Sequence, residues 1–145
     1  MANVSVYLNF GRQAEQAFNF YKTVFGVEAA LDISRFGDVP PSEEMPPLSD
    51  ADKKLVMHVS LPIMGGFVLM GCDIPASMGM KLELGNNVNL NLVPASRAEA
   101  DRLFAALSAG GQVTMPMGDM FWGAYFGSFV DKFGICWMIN YTEQA

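Results

Sequence analysis

Two stretches of this chain can be laid over one another. With Ala14-Glu15 set on Ala98-Glu99, Phe20 falls on Phe104 and Gly26 on Gly110, and upstream Leu8-Asn9 falls on Leu90-Asn91 with two extra residues before the second helix. Each copy reads as a strand, a helix and then three strands. A doubly wound sheet would need the βαβ alternation to continue, and it does not, so the pattern predicts two copies of one unit packed together. The expected fold class is α+β, built from two tandem βαβββ modules. The first spans residues 1–73 and the second 86–145, with 74–85 as a connector inside one 145-residue domain.

In the first module, Val4, Val6, Leu8 and Phe10 alternate with Ser5, Tyr7 and Asn9, the period of a half-buried strand. Arg12 to Phe25 then carries Ala14, Ala17, Phe18, Tyr21 and Val24 at helical spacing, and Gly26 suits the C-terminal cap. Val27 to Phe36 reads as a second strand. Residues 37–54 read as a loop, rich in proline (Pro40, Pro41, Pro46, Pro47) and acid (Asp38, Glu43, Glu44, Asp50, Asp52), either a surface loop or a lid. Leu55 to Ile63 alternates again, with Val56, His58 and Ser60 on one face. Gly65-Gly66 turns the chain into a returning strand over Phe67 to Cys72.

In the second module, Asn87 to Val93 predicts a strand with Val88, Leu90 and Leu92 packed and Asn87, Asn89 and Asn91 on the polar face. Ser96 with Glu99 has capping-box spacing and opens a helix over Ala98 to Leu107, which Gly110-Gly111 ends. Val113 to Phe121 is the next strand. From Trp122 to Trp137 the chain reads as a hairpin, in which Asp131 bonds back onto the turn and Gly134 takes the positive φ that closes it.

Charge and composition narrow the function classes. A formal charge of −6 repels phosphate backbones and anionic lipid, so neither nucleic acid nor a membrane is an expected partner. The first residues lack a secretory signal and no apolar run is long enough to span a bilayer, so a cytoplasmic location is expected. Cys72 and Cys136 sit in apolar runs and read as buried thiols. A hydrophobic content of 51%, with eleven Met and eleven Phe, suggests a large apolar cup, a subunit interface, or both.

Five stretches carry a resemblance: Tyr7-Leu-Asn-Phe-Gly, Phe20-Tyr-Lys-Thr-Val-Phe-Gly26, Met57-His58, Trp122-Gly123, and Asp131-x-Phe-Gly-x-x-Trp137. Spread over the whole chain, they resemble the vicinal-oxygen-chelate (glyoxalase/bleomycin-resistance/dioxygenase) superfamily and, within it, the PhnB-like branch, also labelled 3-demethylubiquinone-9 3-methyltransferase-like. The resemblance implies curved sheets forming an open cup, helices on its convex side, and a homodimer. It also implies that metal-dependent relatives draw ligands from the first, fourth, fifth and eighth strands. Those places fall near Ser5, Met70, Asn87 and Met138, none a carboxylate or imidazole. A hydroxyl, an amide and two thioethers are poor donors for zinc, nickel or iron, so no metal and no other cofactor is expected.

The candidate site follows from parity. The faces holding these positions also hold Ser5, Tyr7 and Asn9, then Asn87 and Asn89, then Met138, with Met70 beside them. Such a mixture of amide, phenol and thioether suits a small organic molecule, and the negative charge favours a cationic one. The alternative is that these amides only face solvent. Trp122 and Tyr125, with Phe126, are expected at the cup mouth, stacking on a flat ligand. His58 is the one histidine and the candidate catalytic base; a structural, hydrogen-bonded histidine is the alternative. The reading is a PhnB-like small-molecule-binding protein, against a glyoxalase-like lyase or isomerase using His58, with or without a weakly bound divalent metal. The label's methyl transfer would need a glycine-rich turn at a helix N-terminus within a parallel sheet. Gly65-Gly66 joins two strands and Gly110-Gly111 ends a helix.

Overall fold

The computed structural model describes residues 2–40 and 47–143, so Glu43 and Glu44 and their part of the acidic loop lie outside the described residues. The chain divides into two compact units, Met1–Glu83 and Leu84–Ala145. In the first, β1 (Val6–Phe10) leads into α1 (Ala14–Phe25), followed by β2 (Asp32–Arg35), a short helix α2 (Asp50–Lys53), β3 (Val56–Pro62) and β4 (Val68–Asp73). In the second, β5 (Leu90–Leu92) is followed by α3 (Arg97–Ser108), β6 (Gln112–Asp119), β7 (Tyr125–Val130) and β8 (Cys136–Tyr141). The strand orders are β1-β4-β3-β2 and β5-β8-β7-β6, so each unit carries the same four-stranded sheet. In both sheets the first strand runs parallel to the last and the remaining pairs are antiparallel.

One face of each sheet is packed under its helix. In the first unit Leu8, Phe10, Val59, Leu61 and Leu69 meet Ala14, Ala17, Phe18 and Tyr21, all buried. Gly71 lets the helix approach, because a Cβ there would lie 2.6 Å from the Leu8 carbonyl oxygen and 2.9 Å from the Phe18 ring. In the second unit Leu92, Phe129, Trp137 and Ile139 are buried, as are Ala100, Leu103 and Leu107 of α3.

Several expected boundaries shift. Alternation alone extends β1 back to Val4 and β5 from Asn87 to Val93, but a strand ends where its partner does. Val4 and Val93 are exposed, and Val88, expected to be packed, is 71% exposed, because β8 pairs with only Leu90–Leu92. The second strand shrinks to Asp32–Arg35, and Phe36–Asp38 is a 3-10 turn. The segment expected to be all loop contains α2, capped by Ser49 accepting from the Asp52 amide at 3.1 Å. Asp52 is not a solvated loop acid: it is buried, bonded to Arg12 at 3.0 Å and Ser77 at 2.7 Å. The Ser77 hydroxyl first, and Arg12 second, hold its carboxyl below the usual range. The hairpin strand begins at Tyr125 rather than Trp122, since Met120–Ala124 forms the β6–β7 turn with Gly123 at φ 93°.

Candidate functional site

The first unit's sheet has a second face, away from α1, and the register fixes what it carries. Tyr7 pairs with Met70, Met70 with Ser60 and Ser60 with Asp32; further along, Asn9 pairs with Cys72 and Ser34 with His58. Val56 does not share this face with His58, contrary to the simple alternation. Between Ser34 and Arg35 of β2 the pairing jumps from His58 to Val56, a bulge that turns Val56 into the core and its amide onto Asp73 at 2.9 Å.

Tyr7 and His58 meet on this face. They lie on β1 and β3 with β4 between them, so the phenol must reach over one strand, a span of about 9.6 Å at the usual strand spacing. Tyr7 Oη lies 3.2 Å from His58 Nδ1, with the ring centroids 5.7 Å apart. Beside them the Cys72 thiol donates to Asn9 Oδ1 at 3.4 Å. Partial burial and then Cys72 push the Tyr7 phenol up to about 12, so it keeps its proton throughout the physiological range. Burial likewise pushes the Cys72 thiol up. Tyr7 and Cys72 are therefore uncharged hydrogen-bonding groups, with Ser5 half-buried just before β1 and Met70 half-buried in β4.

The second unit distributes its candidates differently. Met138 lies between Asn91 and Ser128, and Ser128 bonds Thr114 at 2.7 Å, which makes a polar row. Asn87 and Asn89 precede β5 and are exposed. Trp122 stands at the tip of the β6–β7 turn against Phe121, which is 98% exposed, and near Phe126. Tyr125 does not join them, because it shares the parity of Gly127 and Phe129 and faces α3. Its hydroxyl donates to Asp101, which raises its pKa, and Arg97 lies 3.8 Å over its ring while holding Asp119 through two bonds of 2.8 and 3.0 Å. A cavity of about 190 Å³ opens here, lined by Arg97, Asp119, Gly123, Tyr125, Tyr141 and Glu143.

Comparison with known proteins decides the family. Residues 2–140 match the model of the family described as 3-demethylubiquinone-9 3-methyltransferase. The chain belongs to this family. Protein YjdN of Escherichia coli (strain K12) is 30% identical over 97% of this chain and 96% of its own. The crystal structure of protein PA1353 from Pseudomonas aeruginosa is 35% identical, covers 98% of this chain and 100% of that one, and superposes with a TM-score of 0.79. A putative 3-demethylubiquinone-9 3-methyltransferase, PhnB protein, from Bacillus cereus follows at 24% identity and a TM-score of 0.75, covering 97% and 100%. A glyoxylase/bleomycin resistance protein/dioxygenase domain from Frankia sp. EAN1pec, 16% identical over 99% of both chains with a TM-score of 0.61, shares the fold. The PhnB-like chain thus has the glyoxalase/bleomycin-resistance architecture of eight strands in two four-stranded sheets.

The superfamily's metal-dependent members raise the question of donors. In this PhnB-like chain Ser5, Met70, Asn87 and Met138 do not fit a transition-metal ion. Among the described residues no three His, Cys, Asp or Glu side chains are close enough to share one. Sequence reasoning put Ser60 on the face of His58 but missed Cys72 as a member of the Tyr7–His58 face, although its parity with Met70 in β4 marks it. It also missed the Arg97–Asp119–Tyr125–Asp101 network, whose partners are 22 and 24 residues apart and carry no local signal.

Proposed function

We propose that this PhnB-like protein is a metal-free binder of a small organic molecule, held against the face of the first unit's sheet that carries Tyr7, Asn9, His58, Met70 and Cys72. The Tyr7–His58 hydrogen bond is the observation that carries this reading. Two ring side chains 51 residues apart meet over an intervening strand, on the face that does not pack under α1. A phenol, an amide and a thiol beside a thioether suit a partly apolar ligand, and a net charge of −6 favours a neutral or cationic one. The methyltransferase wording of the family description is not part of this reading. The β1–α1 connection, Gly11-Arg12-Gln13, has a single glycine, and each sheet mixes parallel with antiparallel pairs.

Thermal-shift screening of a panel of neutral and cationic small molecules tests it. A ligand at a hundred times its Kd should stabilise the fold by about 2.7 kcal/mol, and the shift should shrink in His58→Ala. A panel without a hit, or hits indifferent to His58, would count against the site. One stoichiometric transition metal in fresh protein, lost in His58→Ala, would favour the lyase or isomerase reading. The reading includes a cytoplasmic homodimer, supported by two free thiols and by the exposed Phe121 and Trp122; a light-scattering mass of one chain would remove the dimer.

A further inference from the structure

We propose that Tyr7 is a positioning residue that holds His58 in the tautomer with its proton on Nε2, so that the imidazole offers a ligand a hydrogen-bond donor and no basic nitrogen. This rests on the binding face described above and deepens it.

The assignment comes from placing each proton in the cluster. Tyr7 Oη and His58 Nδ1 share one hydrogen bond of 3.2 Å, so one of the two donates. A phenol is a better donor than acceptor, because its oxygen lone pair is delocalised into the ring, whereas the unprotonated nitrogen of a neutral imidazole is a strong acceptor. The competing acceptor near Tyr7 is Cys72. Its thiol is kept protonated by burial, its own proton goes to Asn9, and a neutral thiol sulfur accepts only weakly. The phenol, protonated up to about pH 12, therefore places its hydrogen on Nδ1. With Nδ1 accepting, the ring proton of neutral His58 sits on Nε2.

Two consequences follow for the ligand. It should present an acceptor, such as a carbonyl or amide oxygen, to Nε2–H. Proton abstraction by Nε2 would first require the other tautomer, with Tyr7 turned from donor to acceptor, so the face is built for recognition ahead of general base catalysis.

The single histidine makes the test direct, since its imidazole gives one set of nitrogen signals. Long-range proton–nitrogen NMR of uniformly 15N-labelled, ligand-free protein, recorded where the imidazole is neutral, should show a protonated Nε2 and an unprotonated Nδ1. In Tyr7→Phe, which keeps the ring and removes the hydroxyl, both nitrogens should move toward the averaged values of a tautomer mixture. A protonated Nδ1 in the wild type overturns the assignment. So does a Tyr7→Phe variant with a lowered Tm but unchanged imidazole signals, the result of a purely structural role. Because the tautomer is read without ligand, its failure is separate from failure of the ligand screen. Hits consisting of amines without any acceptor oxygen would overturn the ligand half while leaving the tautomer supported.

Discussion

In the first unit the N-terminus of α1 is held from across the sheet. Asp73, at the end of β4, accepts from the Ala14 and Val56 amides at 2.9 Å each, while Gln13 at the N-cap makes no side-chain cap bond. In the second unit α3 is capped by its own Ser96, which accepts from the Glu99 amide at 3.1 Å, and in the hairpin register the place of Asp73 is taken by Tyr141. The same register sets Leu8 on Leu92 rather than on Leu90 and removes the two extra residues expected before the second helix. The hairpin turns show the reverse division. Ile63–Phe67 and Asp131–Ile135 share one backbone pattern, the first amide bonding the last carbonyl at 2.8 Å in each. Yet Ile63 is apolar, whereas Asp131 accepts from Phe133, Ile135 and the Trp137 indole. The position of Trp137 is held in the first unit by Leu69, whose side chain has no N–H to satisfy. A repeat can therefore keep its backbone while moving its buried carboxylate, provided the donors move with it.

The largest break in this comparison should come from Asp131→Ala. Asp131 is only 3% exposed, and its removal strands a buried indole N–H and two turn amides. At about 1–3 kcal/mol for each unsatisfied buried group, and with incomplete additivity, roughly 3 kcal/mol should be lost. A lowered urea midpoint at unchanged m would register it. The double variant Asp131→Ile with Trp137→Leu copies the first unit's pair and should cost less than the two single changes added together. A strictly additive pair would mean that the indole bond contributes nothing of its own.

Asp73→Asn should cost roughly 2 kcal/mol, since one of its two backbone amides then faces an NH2 group. Its pH dependence runs opposite to that of the usual acid. Burial, outweighing the two amide bonds, raises the folded carboxyl above its ordinary 3.8, so the folded state binds the proton more tightly. The resulting stabilisation is complete below 3.8 and disappears as pH rises through the folded value. The stability gap between wild type and Asp73→Asn should therefore widen as pH falls from 7 toward 4. For Asp52, whose carboxyl is lowered, stability is present above 3.8 and is lost on acidification. A flat gap would show that the folded state leaves the Asp73 carboxyl unshifted, and a gap that narrows on acidification would show that it is lowered, as in Asp52.

What could be read from the sequence depended on how far apart the partners were. Asp131 and Gly134 were legible because a turn places donor and acceptor within four residues. Ser96 with Glu99 was legible for the same reason, and the repeat followed from helix length. Asp73 bonds residues 59 and 17 positions away, so nothing near it marks it as a cap. Parity did place Tyr7 and His58 on polar faces, but not the reach over β4 that joins them. Where parity failed, a bulge had shifted the phase, as at Val56, or adjacent residues had been given one face, as with Tyr125 and Phe126. Acidic residues misled too: Asp52 sits among loop-like neighbours, but Arg12 and Ser77, 40 and 25 residues away, draw it inside.

The smallest effect should come from the local cap. Ser96→Ala leaves the Glu99 amide without its acceptor and should cost about 1 kcal/mol, because water can replace a cap at an exposed helix end. Its reach matters more than its size. Asp73 joins a helix to two strands, so its loss should release hydrogen-exchange protection in α1 and β3 together; Ser96 joins a helix only to itself, so its loss should release the first turn of α3 alone. The Glu99 side chain bonds Arg102 through both of its oxygens at 2.9 and 2.6 Å, so closing a capping box in compensation would compete with that pair. If β6, β7 or β8 amides lose as much protection as Ala100 in Ser96→Ala, the cap is coupled to the sheet after all. The two units would then differ in which residue holds the helix, but not in how far that hold extends.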